Sequence, residues 1–410
     1  MGYRVEVRDK DLKRIGVIDT WLQLDIIVRF CEQGSWKLLV RSGTEQAELL
    51  QRGGGVAIYQ DGVEKPVITG QIEDFQKYFT VEQHSSMGSL FVGGSCDNKL
   101  AYSRLAFPDP ARAVDKQYLS PVDTRTVNTP ASSAIWDELE KSMGATALAD
   151  RRIPGVKIGS KPTFGDTVND TVRYDVIGEK LAGWCESKKL GYRFLYDPNT
   201  QSIDLDIFTP RDLSKEIRLS TDLGNLREYI WTLSAPKVTR VIVACQGEGK
   251  GRYLYQKIDA EAEAEWGLQI EAFVDRRDLP IVTDTATGNP VKASLDVTTE
   301  EFESALEAVK QSADEALKEG EKNGNFQVYP IDTEQIKFGR DYFVGDIVTV
   351  AVDGTEYSDM VREVNITVDD GGQVSSVAPK IGEQGSGDPL NLYKTVFEMR
   401  EKLRKLEARM

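Results

Sequence analysis

Short runs in which apolar and polar residues alternate are the sequence feature that most restricts the fold of this chain. Val5 and Val7 alternate with charged neighbours, which is the period of two that a β-strand with one buried face shows. Asp61-Gly62 separates two such runs and is typical of a tight hairpin turn. Further strands are predicted at Gln23 to Phe30, Trp36 to Arg41, Val56 to Gln60, Val67 to Phe79 and Leu90 to Gly93. Many short strands joined by tight turns predict a small β-barrel or sandwich over residues 1–104.

The residues that follow change to helical spacing. A helix is predicted over Ser133 to Met143, and a second helix is predicted over about Arg173 to Lys189. The alternating runs Tyr192 to Tyr196 and Ile203 to Ile207 flank a turn-forming segment and predict a hairpin. Residues 105–220 are therefore predicted to form an α+β insert domain.

Strand patterns then return and predict a second β-barrel domain over residues 221–382. A helical excursion interrupts it at about residues 259–324, where Thr298 and Glu301 have the spacing of a capping box. Gly247 to Arg252 resembles a phosphate-binding loop, but it lies between strand-like runs and is predicted to be a hairpin tip. The predicted fold class is a β-rich α+β multidomain protein, with two small β-barrel or sandwich domains separated by an α+β insert.

The last predicted element is an amphipathic, coiled-coil-forming helix over residues 389–410. Its apolar residues are spaced four, three, four, three and four positions apart, close to the average of 3.5 that buries a seam between helices. The predicted oligomerisation seam consists of Leu392, Val396, Met399, Leu403, Leu406 and Met410. Because the intervening residues are heavily charged, we expect the seam to gather copies of the chain. The alternative is an amphipathic helix that docks on its own chain, since a helix of this length is marginal by itself.

The net charge of the chain limits its possible partners. The 51 Lys and Arg residues against 66 Asp and Glu residues give a net charge of −15, which repels nucleic-acid phosphate. No apolar run approaches the roughly 20 residues that span a bilayer, and the first residues lack the apolar segment of a secretory signal. Neither specific binding of nucleic acid nor a membrane anchor is expected.

No catalytic, cofactor or metal site is predicted. The single histidine of the chain, His84, lies in a polar segment and lacks the partners that triad hydrolases and zinc sites need. The carboxylate pairs Glu138/Glu140 and Asp204/Asp206 are expected on solvated faces, since 66 acidic residues produce such pairs by chance. No cofactor is therefore expected.

The cysteines do not predict a disulfide framework or a zinc knuckle. The four residues are far apart in the sequence and form no CxxC pair. They are expected to be reduced thiols in the core: Cys31, Cys96, Cys185 and Cys245.

Five short segments carry a resemblance to a known family: Val5 to Gly16, Thr69 to Asp74, Leu190 to Phe194, Gln246 to Gly249 and Phe343 to Val348. They resemble the baseplate-hub proteins at the tail tip of long-tailed, non-contractile phages that infect Gram-positive bacteria. The similarity runs from residue 3 to about residue 382.

The resemblance implies a structural virion protein and not an enzyme. In such a hub, a homotrimer with two β-barrel domains per chain adapts the six-fold tail tube to three-fold fibres or a spike. The implied partners are further copies of the chain, a distal tail protein or the tail tube above, and fibres, spike or receptor-binding proteins below. Genomic DNA would pass through the exit channel without specific binding, and the hub would be assembled in the host cytoplasm.

Two other functions stay open at this point. One is a cell-wall hydrolase of the tail tip that acts through carboxylates, and the other is a receptor-binding or glycan-binding tail module. Related hubs often continue into a long extension that carries a hydrolase or fibre, whereas this sequence stops at Met410. Any lytic function is therefore expected on another polypeptide.

Overall fold

The fold is described from a computed structural model, and the described residues form two compact units. They are residues 2–79, 88–320, 323–330, 336–352, 354–370, 372 and 374–382. Unit 1 takes its described residues from Met1–Tyr229 and Gln327–Gly382, whereas unit 2 takes them from Ile230–Phe326. The chain therefore leaves unit 1, forms unit 2 and then returns to complete unit 1.

The first hundred residues contain mainly strands, as predicted. The strands are β1 (Tyr3–Arg8), β2 (Arg14–Ile18), β3 (Gln23–Arg29), β4 (Ser35–Arg41), β5 (Gly55–Gln60), β6 (Ile68–Gln71), β7 (Asp74–Tyr78) and β8 (Ser89–Ser95), and the helices are α1 (Glu45–Glu48) and α2 (Lys99–Tyr102). In β3, Leu24, Ile26 and Val28 are buried while the residues between them are less buried. This alternation is the period of two that the sequence predicts.

The next segment combines two helices with short strands. The strands are β9 (Leu105–Ala106), β10 (Arg125–Pro130), β11 (Val156–Lys157), β12 (Thr167–Val172), β13 (Asp175–Val176), β14 (Gly191–Asp197), β15 (Ser202–Phe208) and β16 (Arg218–Ser220), and the helices are α3 (Ala131–Met143) and α4 (Ile177–Lys188). Helix α3 confirms the first predicted helix, and the antiparallel pair β14 and β15 confirms the predicted hairpin. Helix α4 begins later than the predicted residue Arg173, because Tyr174 has a positive φ of 58° and β13 occupies the residues before Ile177.

The remaining elements complete both units. The strands are β17 (Leu226–Ser234), β18 (Arg240–Ala244), β19 (Leu254–Ile258), β20 (Glu271–Asp275), β21 (Ile281–Thr283), β22 (Pro290–Lys292), β23 (Asn323–Pro330), β24 (Ile347–Val352), β25 (Thr355–Asp369) and β26 (Val374–Gly382), and the helices are α5 (Ala260–Trp266) and α6 (Thr299–Glu319). The capping box predicted from Thr298 and Glu301 is present at the start of α6. Gly247 to Arg252 connects the antiparallel strands β18 and β19, so the predicted hairpin tip is confirmed.

The largest sheet joins strands that are far apart in the sequence. Its strand order is β17-β23-β26-β25-β3-β4-β8-β7, with β24 paired to β25 and β16 paired to β24. Strand β25 runs antiparallel to β3, with registers from Glu363 opposite Arg29 to Asp369 opposite Gln23. A second sheet of unit 1 has the order β2-β1-β5-β6. The predicted first and second β regions therefore share one sheet.

The β-rich fold is confirmed, but the predicted barrel closure is not seen in the described residues, where every sheet order has two open ends. The reason is that β25 pairs with β3 of the other β region, whereas a barrel needs closure within its own strands. The domain boundaries 1–104, 105–220, 221–382 and 389–410 stay predictions, and the grouping into two units cuts across them.

Unit 2 is a three-stranded sheet packed against helix α6. The sheet has the order β19-β18-β20, with β19 antiparallel and β20 parallel to the central strand. Val241 and Val243 of β18 meet Ala305, Val309 and Ala313 of α6 in the core of this unit. The small alanine side chains let the helix lie close to the sheet.

Candidate assembly surfaces

The predicted oligomerisation seam lies outside the described residues, and so does His84. The seam residues are Leu392, Val396, Met399, Leu403, Leu406 and Met410. Their part in assembly stays a prediction from their spacing. The surfaces below are built from described residues alone.

The first candidate surface is the edge arm, which we define as β7 together with Phe79. Strand β7 is the last strand of the largest sheet on one side, and all five of its residues are exposed. Tyr78 and Phe79 each keep 55% of their surface exposed, and Phe75 keeps 38%. Large aromatic side chains that are exposed together are typical of a surface that contacts another molecule.

The sequence predicts a single strand over Val67 to Phe79, but the structure divides this segment into two strands, β6 and β7. The chain turns at Ile72 and Glu73, whose amides donate to the carbonyls of Gly54 and Gly93. Strand β6 therefore pairs with β5 in one sheet, whereas β7 pairs with β8 in the other.

A sequence signal for this exposed surface exists. Phe75 and Phe79 lie an even number of positions apart, but Tyr78 falls on the opposite face of the same strand. One buried face cannot therefore cover all three aromatic rings. In addition, the backbone of an edge strand offers donors and acceptors to which a strand of another chain can be added.

The second candidate surface is the outer face of the unit 2 sheet, on the side opposite to α6. The register places Ile242 beside Phe273 on one side, while Ala244 lies beside Leu254 of β19. Leu254 and Phe273 keep 56% and 59% of their surface exposed, and Ile258 keeps 43%. Parallel strand pairs such as β18 and β20 usually have both faces covered, so the outer face has the composition of a contact surface.

Buried charges of unit 1 are held in ion pairs. Arg8 and Asp97 have 3% side-chain exposure each, and Arg8 Nη2 lies 2.6 Å from Asp97 Oδ1. The Thr69 hydroxyl donates to the other carboxylate oxygen at 2.6 Å, and the Arg8 guanidinium lies over the Tyr196 ring. This network supports packing, and its carboxylate is fully occupied by its partners.

The expectation of solvated carboxylates is wrong for Glu138 and Glu140, which are both buried. Glu138 accepts two hydrogen bonds from the Arg125 guanidinium, at 2.6 and 2.7 Å. Glu140 accepts a hydrogen bond from the amide of Thr146 at 2.8 Å. Each carboxylate is therefore satisfied by local partners, which sequence spacing alone does not reveal because Arg125 lies on a different element.

A third carboxylate, Glu363 on β25, joins strands of the largest sheet. Arg29 Nε lies 2.6 Å from one of its oxygens, and Lys380 Nζ lies 2.6 Å from the other. Burial alone would raise the pKa of Glu363, but the hydrogen bonds from Lys380 and Arg29 outweigh it and hold the pKa below its usual value. The group is therefore ionised at neutral pH and stabilises the sheet.

Two of the cysteines are buried in unit 1. Cys31 follows β3 and has 3% exposure, and Cys185 of α4 has 1% exposure. The amide of Tyr192 donates to Cys31 Sγ at 3.3 Å. Burial, followed by the effect of the Cys31 side chain, raises the pKa of the Cys185 thiol.

Possible metal and membrane contacts are limited in the described part of the chain. Within it, no group of three or more His, Cys, Asp or Glu side chains has a geometry that could hold a metal ion. None of its helices is both long and apolar enough to cross a membrane.

The fold described above is similar to the folds of two solved tail proteins. It is similar to the 43 kDa tail protein of prophage MuSo2 from Shewanella oneidensis, with a TM-score of 0.54, 12% identity and coverage of 93% of this chain and 98% of that one. It is also similar to the tail protein from Neisseria meningitidis MC58, with a TM-score of 0.53, 14% identity and coverage of 94% and 98%.

The sequence shows the family to which the chain belongs. Residues 4–383 match the model of the family described as Siphovirus ReqiPepy6 Gp37-like protein, so the chain belongs to that family. This match confirms the resemblance to siphovirus tail proteins that the short segments indicate. No curated protein is similar enough to the chain to match it.

Proposed function

We propose that the chain is a structural virion protein that forms a homotrimeric hub at the tail tip of a long-tailed phage. The observation that carries this proposal is the family match over residues 4–383. The similarity to two solved tail proteins over almost their whole length supports it. The hub would adapt the six-fold tail tube above to three-fold fibres, a spike or receptor-binding proteins below.

The seam at residues 389–410 supplies the three-fold contact in this proposal. Apolar residues at a spacing close to 3.5 form a stripe that is buried only when helices pack side by side. Three copies of the stripe would close around one axis, and the charged residues between them would stay in water. Closed symmetry of this kind uses every copy of the stripe.

The edge arm supplies a second contact in this proposal. Its exposed aromatic rings and its outer backbone edge suit the addition of a strand from a neighbouring copy or from the tail ring above. Such an addition would remove the edge from water. It would also cover the exposed rings of Phe75, Tyr78 and Phe79.

The charge of the chain suits the exit channel that this hub would surround. A net charge of −15 disfavours the basic contacts through which DNA releases counterions, so the genome could slide without binding. The buried carboxylates Glu138, Asp97 and Glu363 are held by Arg or Lys partners, which favours a structural role over a carboxylate hydrolase. We therefore assign the chain no enzymatic activity and place it in the virion, at the tail tip.

The mass of the purified full chain tests the trimer. Native mass spectrometry at micromolar concentration should give about three times the 45.7 kDa chain mass. The double change Leu403→Asp and Leu406→Asp should convert the trimer to monomer, because each buried leucine lost costs about 2–5 kcal/mol. The matched control Lys402→Asp with Lys405→Asp adds the same carboxylates beside the seam and should leave the trimer intact.

A monomeric wild-type chain, or a trimer that survives the double seam change, would contradict the assigned role of the seam. The location is tested separately, by labelling isolated tails with an antibody against the chain and imaging them. Label at the tail tip supports the hub, whereas label along the tube or on the head rejects it. Loss of cell-wall turbidity on adding the purified chain would instead favour a hydrolase.

A further inference from the structure

Arg151 is a buried arginine that has no carboxylate partner among the described residues. It and Arg8 are the two buried arginines there, with 7% and 3% exposure. Arg8 is paired with Asp97, whereas the Arg151 guanidinium donates to the carbonyl of Leu105 at 2.7 Å. The Arg151 guanidinium also lies over the Phe107 ring, 4.1 Å from its centroid. A carbonyl and a ring face compensate a buried positive charge less well than a carboxylate does.

A second guanidinium, that of Arg104, adds to the positive charge at this place. Arg104 precedes β9, and its Nη2 donates to the backbone carbonyl of Arg151 at 3.4 Å. The Arg104 Nε is buried and has no hydrogen-bond partner, and neither arginine forms an ion pair with a described residue. Burial, followed by repulsion from Arg104, lowers the pKa of Arg151, and the carboxylate of Asp150 opposes this shift least of the three causes. Both arginines stay charged at neutral pH, so two positive charges lie close together without a paired anion.

Exposed apolar side chains lie beside the two arginines. Leu105, whose carbonyl accepts from Arg151, keeps 42% of its surface exposed, and Tyr174 keeps 43%. The Tyr174 ring meets the edge of the Phe107 ring at a centroid distance of 5.8 Å, and β9 pairs with β13 in the same place. A small free anion would leave these apolar groups in water, whereas a protein partner covers them. Arginine and tyrosine are also the residues in which the cores of protein interfaces are rich.

We propose that Arg104 contacts the carboxylate of an Asp or Glu side chain on a neighbouring protein subunit of the tail, and that Arg151 strengthens the attraction from the interior. Arg104 is only partly buried, so a partner can reach its outer N–H groups, and a guanidinium matches a carboxylate with two parallel hydrogen bonds. A carboxylate is favoured over nucleic-acid phosphate because the chain carries a net charge of −15. The proposal rests on the placement of the chain in the tail, which is part of the proposed function, but not on the trimer.

Photo-crosslinking in isolated tails tests the contact. Tyr174 is replaced in the full chain by p-benzoylphenylalanine, an aromatic residue that on irradiation reacts with whatever lies against it. Mass spectrometry should find residue 174 linked to a peptide of another subunit, with an Asp or Glu within a few residues of the linked position. The mass of the joined chains on a denaturing gel distinguishes a link between subunits from a link within one chain. The sequence of the linked peptide shows whether the partner is a second copy or a different tail protein.

Charge variants test whether the carboxylate makes the contact. Arg104→Gln, combined with the crosslinking residue, should lower the amount of link per chain in the tails by at least about tenfold, because loss of one partner of an interface ion pair is costly. Replacement of the identified acid by its amide should have the same effect, and that change leaves the fold of this chain untouched. The matched control Arg52→Gln removes one positive charge from an exposed position elsewhere in unit 1 and should leave the link unchanged.

The carboxylate site and the proposed function fail in different ways. Tails that lack the chain would overturn both. Tails that contain the chain but give no link at residue 174, or a link with no acid near it, would overturn the site and leave the placement in the tail standing. A link that survives both Arg104→Gln and the change of acid to amide, or that falls equally with Arg52→Gln, would also overturn the site.

Discussion

Removal of one member of the buried Arg8–Asp97 pair is the sharpest test of how unit 1 is held together. The change Asp97→Ala leaves the Arg8 guanidinium, whose side chain is 3% exposed, without its carboxylate, and leaves the Thr69 hydroxyl without its acceptor. An uncompensated buried charge of this kind costs about 3–5 kcal/mol. The loss should therefore consume a large part of the free energy of unfolding of an ordinary domain.

A second variant isolates the cause of that loss. The double change Arg8→Met with Asp97→Ala removes both charges, so it should be less destabilising than Asp97→Ala alone by at least about 1 kcal/mol. The exposed pair Lys161–Asp137 provides the matched control, because Lys161 keeps 43% of its side chain exposed. Asp137→Ala should cost less than about 1 kcal/mol.

Urea unfolding followed by tryptophan fluorescence measures these differences. Asp97→Ala should lower the urea midpoint by about 1 M or more, given the usual slope of about 1–3 kcal/mol per molar urea. Hydrogen exchange of peptides from β1 and β5 reads unit 1 separately from unit 2. If the double variant were no more stable than Asp97→Ala, or if Asp97→Ala cost no more than Asp137→Ala, the argument from the unpaired charge would be refuted.

Two further outcomes are expected. Because the pKa of Glu363 is held below its usual value in the fold, the stabilisation from its carboxylate is complete above the unfolded pKa of about 4.5 and is lost as the pH falls through the lower folded pKa. Urea midpoints measured between pH 6 and 3 should therefore fall more steeply for wild type than for Glu363→Gln. Parallel pH profiles of the two proteins would contradict this. In the edge arm, Phe75→Ser with Tyr78→Ser should change the free energy of unfolding by less than about 1 kcal/mol but reduce incorporation into tails, whereas the control Gln76→Ser should do neither. Normal incorporation of the double variant, counted on gels of purified tails, would remove the arm from assembly.

The sequence predicts the local elements of this fold well and its long-range pairing poorly. Helix α3, the capping box at Thr298 and the β14–β15 hairpin all follow from the spacing of residues that are close in the sequence. The pairing of β25 with β3 does not, because many strands of similar composition could occupy that position. Single residues decide the remaining errors: the positive φ of Tyr174 delays α4, and Arg125 draws Glu138 into the interior.

The candidate surfaces, like the fold, can be predicted from the sequence only where the pattern that indicates them is local. The mixed faces of Phe75 and Tyr78 indicate exposure before any fold is known, since the two rings point to opposite sides of one strand. The seam is visible only as a spacing and stays a prediction.

The pairing of β3 with β25 also sets the order in which a nascent chain can mature. Residues 23 to 29 leave the ribosome long before residues 363 to 369 are translated, so one edge of β3 stays unpaired during synthesis. Unit 2, whose described residues all come from Ile230–Phe326, can fold in that interval. A premature stop after Phe326 would therefore release a chain in which unit 2 can fold while β3 lacks its partner β25.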